Sequence, residues 1–270
     1  MDSNELFDNP PLRIKSCRHG TMMYYANDAY IGRSLDLYGE FSEGEAELFK
    51  QLVRPGMVVL DVGANIGAHT IVFAQAVGLG GRVYAFEPQR AIHHLLCGNL
   101  ALNHHTTVVA YHAAVGRGPG SVRVPRIDYT KDSNFGGLAL GTWTQGDVVS
   151  VLTLDSLNLD RCHFIKIDVE GMELDVLAGA RKLLALHQPL LYVENDRTEK
   201  SAALIEWLLT HGFHLYWHLP PLFNPSNYYS HIENVFGGTI SINMLCVPAT
   251  NPLKVDGLRE IKAPGDTWQT

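Results

Sequence analysis

Residues 58–70, VVLDVGANIGAHT, constrain the fold more than any other stretch: an apolar strand runs into an acid, two glycines four positions apart and the start of a helix. Glycine lets the backbone turn sharply and approach a ligand closely, and the helix that follows offers free N–H groups at its positive end. A ligand is therefore expected at this turn. The dinucleotide fingerprint G-x-G-x-x-G is not spelled, because Asn65 stands where a middle glycine belongs. Asp61 would also sit at the phosphate end of such a site, where a second negative charge is poorly tolerated; a ligand with a cationic amino group would welcome it. Both points disfavour an NAD-dependent oxidoreductase.

Around the turn the chain is regular. A helix, EGEAELFKQLV, ends at RPG; strand MVVLDVG, helix IGAHTIVFAQAVG, strand RVYAFEP, helix QRAIHHLLCGNLALN and strand TTVVAYHAAVG follow. Strands alternating with helical lengths at this spacing imply right-handed βαβ crossovers and a parallel sheet. Residues 116–147 break the rhythm with Gly, Pro and polar content around one strand candidate, SVRVPRI. The rhythm resumes with HFIKIDVE, MELDVLAGARKLLALH, PLLYVEN, TEKSAALIEWLLTHG and FHLYWHL, and after a loop over 220–238 TISINMLCVPA reads as the last strand. For 270 residues this predicts one α/β domain over 43–250, preceded by an N-terminal extension or lid over 1–42 and followed by a tail over 251–270.

The strand after the glycine turn ends in FEP, which puts Glu87 at its carboxyl edge, 20 residues after Gly67. A carboxylate there can accept two hydrogen bonds from a ribose diol, a geometry shared by NAD and S-adenosylmethionine sites. Asp61 decides for the second. Reacting groups of open α/β sheets gather at the carboxyl ends of strands, so FIKIDVEG ends inside the site. Alternation puts Lys166, Asp168 and Glu170 on one side of that strand and Ile165, Ile167 and Val169 on the other. Three charges on one face of a central strand are costly unless they meet one another, a ligand or a metal. Methyl transfer from a sulfonium must align the acceptor and, for a hydroxyl, remove a proton. Asp168 is the candidate to bind the acceptor, take its proton or hold a metal; Lys166 would orient Asp168, or serve as a base only if burial lowered its pKa.

With these residues in view the chain resembles the class I S-adenosylmethionine-dependent methyltransferases, and more closely the FkbM-like family. The resemblance rests on VLDVGANIGAHT, AFEP, NLALN, LTLDSL, IKIDVEGMELDVLAGA and SINMLCVP, over about residues 45–248. It implies a Rossmann-like sheet of seven strands in the order 3-2-1-4-5-7-6 with one strand antiparallel, flanked by helices. It assigns Asp61, Gly63, Asn65 and Gly67 to the methionine part and the turn, with Asn65 and His69 fitting the family's GANxG variant. Glu87 goes to the ribose, and Ala114 flanks the adenine. Catechol O-methyltransferase holds magnesium between an Asp after the fourth strand and an Asp-Asn pair after the fifth; Asp168, Glu194 and Asn195 look similar, although FkbM-like proteins do not require that arrangement. The loops carrying Asn134 and Tyr228, His231 and Asn234 are candidate acceptor walls. Asp155 in LTLDSL is read either as a family position or as a helix cap.

A net charge of -7 gives no broad footprint for phosphate backbones. The partners expected are a small-molecule acceptor and at most a second copy of the chain as a homodimer, with no nucleic acid and no membrane. Cys17, Cys97, Cys162 and Cys246 show no CxxC spacing, and no apolar run approaches the roughly 20 residues needed to span a bilayer. A cytoplasmic protein is expected. The thirteen histidines read as solvated or packed rather than as metal ligands. The leading expectation is methyl transfer from S-adenosylmethionine to a hydroxyl of a sugar or specialised metabolite, with catalysis by Asp168, Lys166 and Glu170. The alternatives are N-methylation and a non-catalytic module that binds the same nucleoside.

Overall fold

The structure, a computed structural model, describes residues 11–141 and 143–269, so residues 1–10 of the expected extension lie outside it. The described chain starts with a hairpin of β1 (Leu12–Cys17) and β2 (Gly20–Tyr25), then α1 (Ile31–Tyr38) and α2 (Glu43–Leu52). The regular part follows as β3 (Val58–Val62), α3 (Ala68–Val77), β4 (Arg82–Phe86), α4 (Arg90–Leu102) and β5 (Val108–Tyr111). Next come β6 (Ala114–Val115), β7 (Gly120–Val124), β8 (Asp147–Leu152) and a 3-10 turn at Leu154–Leu157. The second half runs β9 (Phe164–Ile167), α5 (Glu173–Ala178), α6 (Arg181–His187), β10 (Leu190–Glu194), α7 (Thr198–Thr210), β11 (Phe213–His218), β12 (Asn243–Pro248) and β13 (Arg259–Ile261).

Eight strands form the central sheet in the order β13-β11-β12-β10-β9-β3-β4-β5. Seven of them reproduce the expected order, with β12 antiparallel to both β10 and β11. The eighth corrects the sequence expectation: the segment expected as a tail supplies β13, which pairs antiparallel with β11 and buries Ile261 against Leu215. An open edge of apolar β11 would be a template for unwanted pairing, and β13 covers it. The irregular stretch after β5 also holds more structure than one strand, because β6, β8 and β7 make a separate three-stranded sheet.

Register sets the two faces of the central sheet. Leu60, Ile165, Leu191 and Cys246 lie side by side across β3, β9, β10 and β12 and belong to the core that also takes Val176, Leu177, Leu183, Leu204 and Leu208 from α5, α6 and α7. Val59, Phe164 and Tyr192 point to the opposite core, which Ala46 and Phe49 of α2 and Val72 and Phe73 of α3 complete. Burying side chains of this size contributes roughly 1.5–3 kcal/mol each. The sheet order turns back on itself between β3 and β9, so the crevice that such sheets offer to ligands opens at the carboxyl ends of those two strands.

The described part of the extension packs against both long loops. Arg18 pairs with Glu40 at 2.5 Å, and Glu40 accepts from Asn224 and from the Tyr228 N–H. On the other side Asn27 donates to the carbonyls of Tyr129 and Lys131, and Asp28 accepts from the Phe135 N–H. Segment 12–42 thus joins the 126–137 loop to the 220–241 loop across the open end of the sheet.

Candidate active site

The glycine turn is built from three left-handed residues at alternate positions, Gly63 (φ 83°), Asn65 (φ 49°) and Gly67 (φ 89°). A Cβ on Gly63 would lie 1.7 Å from the carbonyl oxygen of Asp168, so glycine is required for the end of β9 to close against this turn. Asparagine is the ordinary residue that tolerates a left-handed backbone best, and Asn65 adds a local bond from the Ile66 N–H to its own Oδ1 (2.7 Å). Its backbone N–H donates to Glu87 Oε2 at 3.0 Å, while Glu87 Oε1 accepts from the Gln89 N–H at 2.8 Å. Glu87 is therefore fixed with one backbone donor on each oxygen, leaving the remaining lone pairs for a ligand. Burial pushes this carboxyl up to about 7, against the opposing effect of the two backbone donors.

Two spaces meet here. A narrow slot is lined by Phe86, Ala114, Val115, Leu138 and Met172, an apolar wall, with the carboxylates of Glu87, Asp168 and Glu170 at its border. An open cleft of about 440 Å³ adjoins it, lined among others by Phe41, Glu45, Asn65, His69, Asn134, Lys166, Glu194 and Asn243. Gly63, Glu87, Gly136, Asp168 and Glu170 border both. Among the expected residues, Ala114 is on the slot and Asn65, His69, Asn134, Lys166, Asp168 and Glu170 are on the cleft.

Six expected site residues, Asp61, Gly67, Asn195, Tyr228, His231 and Asn234, line neither space. Asp61 is fully buried beneath the turn, where sheet register sets it beside Lys166; its Oδ2 accepts from Thr70 Oγ1 at 2.6 Å and its Oδ1 accepts no hydrogen bond from the described residues. Asp61, expected to grip a cationic ligand directly, lies beneath the turn and off the cleft surface. Tyr228, His231 and Asn234 are also displaced from the cleft wall. Tyr228 packs against Tyr229, His231 packs against Tyr38, and Asn234 closes a local turn on the Gly237 carbonyl. The cleft is walled instead by Leu222 and residues 239–243, parts of the same loop nearer the sheet. Gly67 heads α3, and a Cβ there would press on Leu96 at 2.7 Å.

Lys166 links the buried and open parts. Its Nζ lies 3.0 Å from Asp168 Oδ2, 3.3 Å from the Gly63 carbonyl and 3.6 Å from Asp61 Oδ1. Burial works against its charge, but Asp168 and Asp61 outweigh burial and raise its pKa, which favours the ammonium and runs against the option of a lysine base. Asp61 is raised by burial in spite of Lys166 and Thr70.

Strand alternation does not extend to Glu170. The strand stops at Ile167, and Glu170 turns back through a left-handed backbone (φ 55°) to pair with Arg197. This brings Asp168, Glu170 and Glu194 together, with one carboxylate oxygen of each within 4.8 Å of the others, a set of hard donors able to hold a divalent cation. Asn195, expected in that set, is buried off the cleft, where its Nδ2 donates to Met244 Sδ at 3.2 Å. Glu194 is raised well above the ordinary carboxyl range by burial and by Asp168 and Glu170, and Glu170 is pushed up to about 7 by burial and Asp168. Asp155 resolves as a cap, its carboxylate accepting the N–H groups of Lys182 and Leu183 at the start of α6.

The sequence reading missed Glu45, Asn243 and the slot residues Leu138 and Met172. Glu45 had a usable signal: it adjoins Ala46 and precedes Phe49 by four positions, on the buried stripe of α2, where an acid is out of place.

An open, mostly parallel sheet in this strand order, with a glycine turn, a fixed carboxylate and an apolar slot at its carboxyl edge, defines a class I Rossmann-like methyltransferase fold. Residues 61–215 match the Methyltransferase FkbM domain, and the chain belongs to that family of S-adenosylmethionine-dependent methyltransferases. The fold is also similar to that of methyltransferase FkbM from Methylobacillus flagellatus KT (20% identity, TM-score 0.49), the match covering 74% of this chain and 50% of that one. This chain thus spans half the length of that protein. Precorrin-6y C5,15-methyltransferase from Geobacter metallireducens GS-15 (13% identity, TM-score 0.46) is matched over 75% of this chain and 85% of its own. A SAM-dependent methyltransferase from Aquifex aeolicus (15% identity, TM-score 0.43) is matched over 79% and 91%. No curated protein matches the sequence. The residues present fit S-adenosylmethionine: Glu87 offers acceptors suited to a ribose diol, and the Val115, Leu138 and Met172 wall suits a purine ring.

Proposed function

We propose that this protein transfers a methyl group from S-adenosylmethionine to a hydroxyl of a small molecule, a sugar or specialised metabolite. The observation that carries the reading is the position of Asp168, which borders both the slot and the cleft and is held there by Lys166 at 3.0 Å. When bound, the donor supplies an electrophilic methyl group. Glu87 would bind the ribose, the turn from Gly63 to Gly67 would pack against the methionine part, and Asp168 would bind the acceptor beside its reacting hydroxyl and align that oxygen.

The charge of the cleft favours oxygen over nitrogen as nucleophile. Glu45, Asp168, Glu170, Glu194 and Asp196 line it, while its two permanent cations, Lys166 and Arg197, are both already in ion pairs. An amine must be neutral to attack, and carboxylates around it would hold it protonated. The same charge opposes phosphorylated or carboxylated acceptors. The described residues contain no helix long and apolar enough to cross a membrane, and all four cysteines are free, which supports placing the enzyme in the cytoplasm.

The test is methyl-labelled S-adenosylmethionine incubated with a panel of monosaccharides, their methyl glycosides and hydroxylated amines, with and without chelator, followed by mass analysis of the product. Asp168→Asn should lose at least about 100-fold in turnover with donor affinity unchanged by calorimetry. An unchanged rate would refute the assignment of Asp168. Turnover lost on chelation and restored by magnesium would show a metal requirement, for which Asp168, Glu170 and Glu194 are the ligand candidates.

A further inference from the structure

Glu45 reaches the cleft from α2, a helix outside the strand-end loops that carry the rest of the site. The sequence S-E-G-E at 42–45 spells a capping box, in which Glu45 would fold back on the helix start. It does not do so: Ser42 is left-handed and makes no side-chain cap bond, and Glu45 extends across the sheet. Its Oε1 accepts from Tyr192 Oη at 3.0 Å and from Asn243 Nδ2 at 2.7 Å. A tyrosine hydroxyl has one proton, so His218, whose Nδ1 is 2.7 Å from the same Oη, presents Nδ1–H to it. One carboxylate oxygen is thereby anchored from β10, β11 and β12, and the other is left toward His69.

His69 Nε2 lies 3.6 Å from Glu45 Oε2 and makes no hydrogen bond with any described residue, although its side chain is only 8% exposed and lines the cleft. Burial and the nearby Lys166 keep this imidazole neutral. A buried, unpartnered imidazole beside a half-anchored carboxylate is a pair of hydrogen-bonding groups lacking a third, and the cleft is the open side from which a third could come. Asp168 is less suited to take a proton there, because its Oδ2 already accepts from the Lys166 ammonium.

We propose that Glu45 is the catalytic base that takes the acceptor's hydroxyl proton, with His69 as the second contact of that hydroxyl; this rests on the hydroxyl-methylation reading above. In the step, the acceptor oxygen forms a bond to the methyl carbon. The carbon–sulfur bond breaks with its electron pair passing to sulfur. The hydroxyl proton passes to Glu45 Oε2, from which it leaves to solvent with the product. The positive charge of the sulfonium and the negative charge of the carboxylate are consumed together, so the charges balance. The groups facing Glu45 are Ser42 at the head of its own helix, His69 from α3, Lys166 and Asp168 from the β9 end, Tyr192 from β10 and Asn243 from β12. Burial, with Asp168 adding to it, pushes the Glu45 carboxyl up to about 7, in the range where a general base works best.

The experiment compares the full chain with Glu45→Gln and Glu45→Asp, using labelled S-adenosylmethionine and the hydroxyl panel described above. Glu45→Gln should lower kcat by about 100-fold or more at pH 8, leave the donor Kd within twofold, and abolish the rise of kcat with pH through about 7. Glu45→Asp should recover part of kcat and keep a pH-dependent limb. Wild-type turnover with Glu45→Gln retaining both rate and pH profile would overturn this inference alone. Absence of turnover in the wild type on every hydroxyl would overturn the functional reading and this one with it.

Discussion

The arrangement beneath the turn depends on Lys166, and Lys166→Met tests it directly. The substitution keeps the length of the side chain and removes its charge. Asp61, fully buried and 3.6 Å from Nζ, would then retain Thr70 as its single hydrogen-bond donor. Coulomb's law at that distance with an effective dielectric of about 20 gives roughly 4–5 kcal/mol, matching the roughly 3–5 kcal/mol observed when one partner of a buried pair is removed. The sign of the pH dependence follows from the raised pKa of Asp61. A carboxyl raised above its unfolded value contributes stability that is present at acid pH and lost as pH rises through the folded pKa. Removing Lys166 raises it further, so the deficit of the variant should be larger at pH 8 than at pH 5. Urea unfolding followed by tryptophan fluorescence measures this, and adding Asp61→Asn should recover most of the loss. A deficit under about 1 kcal/mol, or a double variant as unstable as the sum of the two single ones, would refute the reasoning.

Two further outcomes follow from the same geometry. Donor binding that requires the ionised form of Glu87, whose carboxyl sits at about 7, should tighten by about tenfold between pH 6 and pH 8. Glu87→Gln should bind more weakly and without that dependence, as calorimetry at several pH values would show; a flat wild-type profile counts against the assignment. Gly63→Ala combines a left-handed backbone with a Cβ 1.7 Å from the Asp168 carbonyl, so it should destabilise the protein by roughly 2–5 kcal/mol and separate the turn from Asp168. Thermal unfolding and the loss of donor binding report it, and a variant that melts with the wild type would show that the close approach is not needed.

The parts of the fold and site that were legible in the sequence are those determined by neighbours along the chain. A strand's alternation, a helix's length and the φ demands of Gly63, Asn65 and Gly67 are local, so the run of strands and helices, the turn and the place of Glu87 followed from reading in order, while the sheet order came only with the family resemblance. Alternation was trusted one turn too far at Glu170, where a positive φ replaced strand geometry and redirected the carboxylate to Arg197. Asp61 was legible as part of the turn but not in depth, since its surroundings depend on Lys166, its register partner in a strand more than a hundred residues later. The loop residues failed for a different reason: nothing local to Tyr228, His231 or Asn234 says that Tyr38 will take the Glu233 carbonyl and the Val235 N–H, drawing that stretch toward the N-terminal segment and away from the cleft. Glu45 shows the converse. Its helix was legible, and so was its place on the buried stripe, but its partners Tyr192 and Asn243 lie 147 and 198 residues away. An acid on an apolar stripe is costly enough that such distant donors have to exist, and the search for them starts from the helix pattern alone.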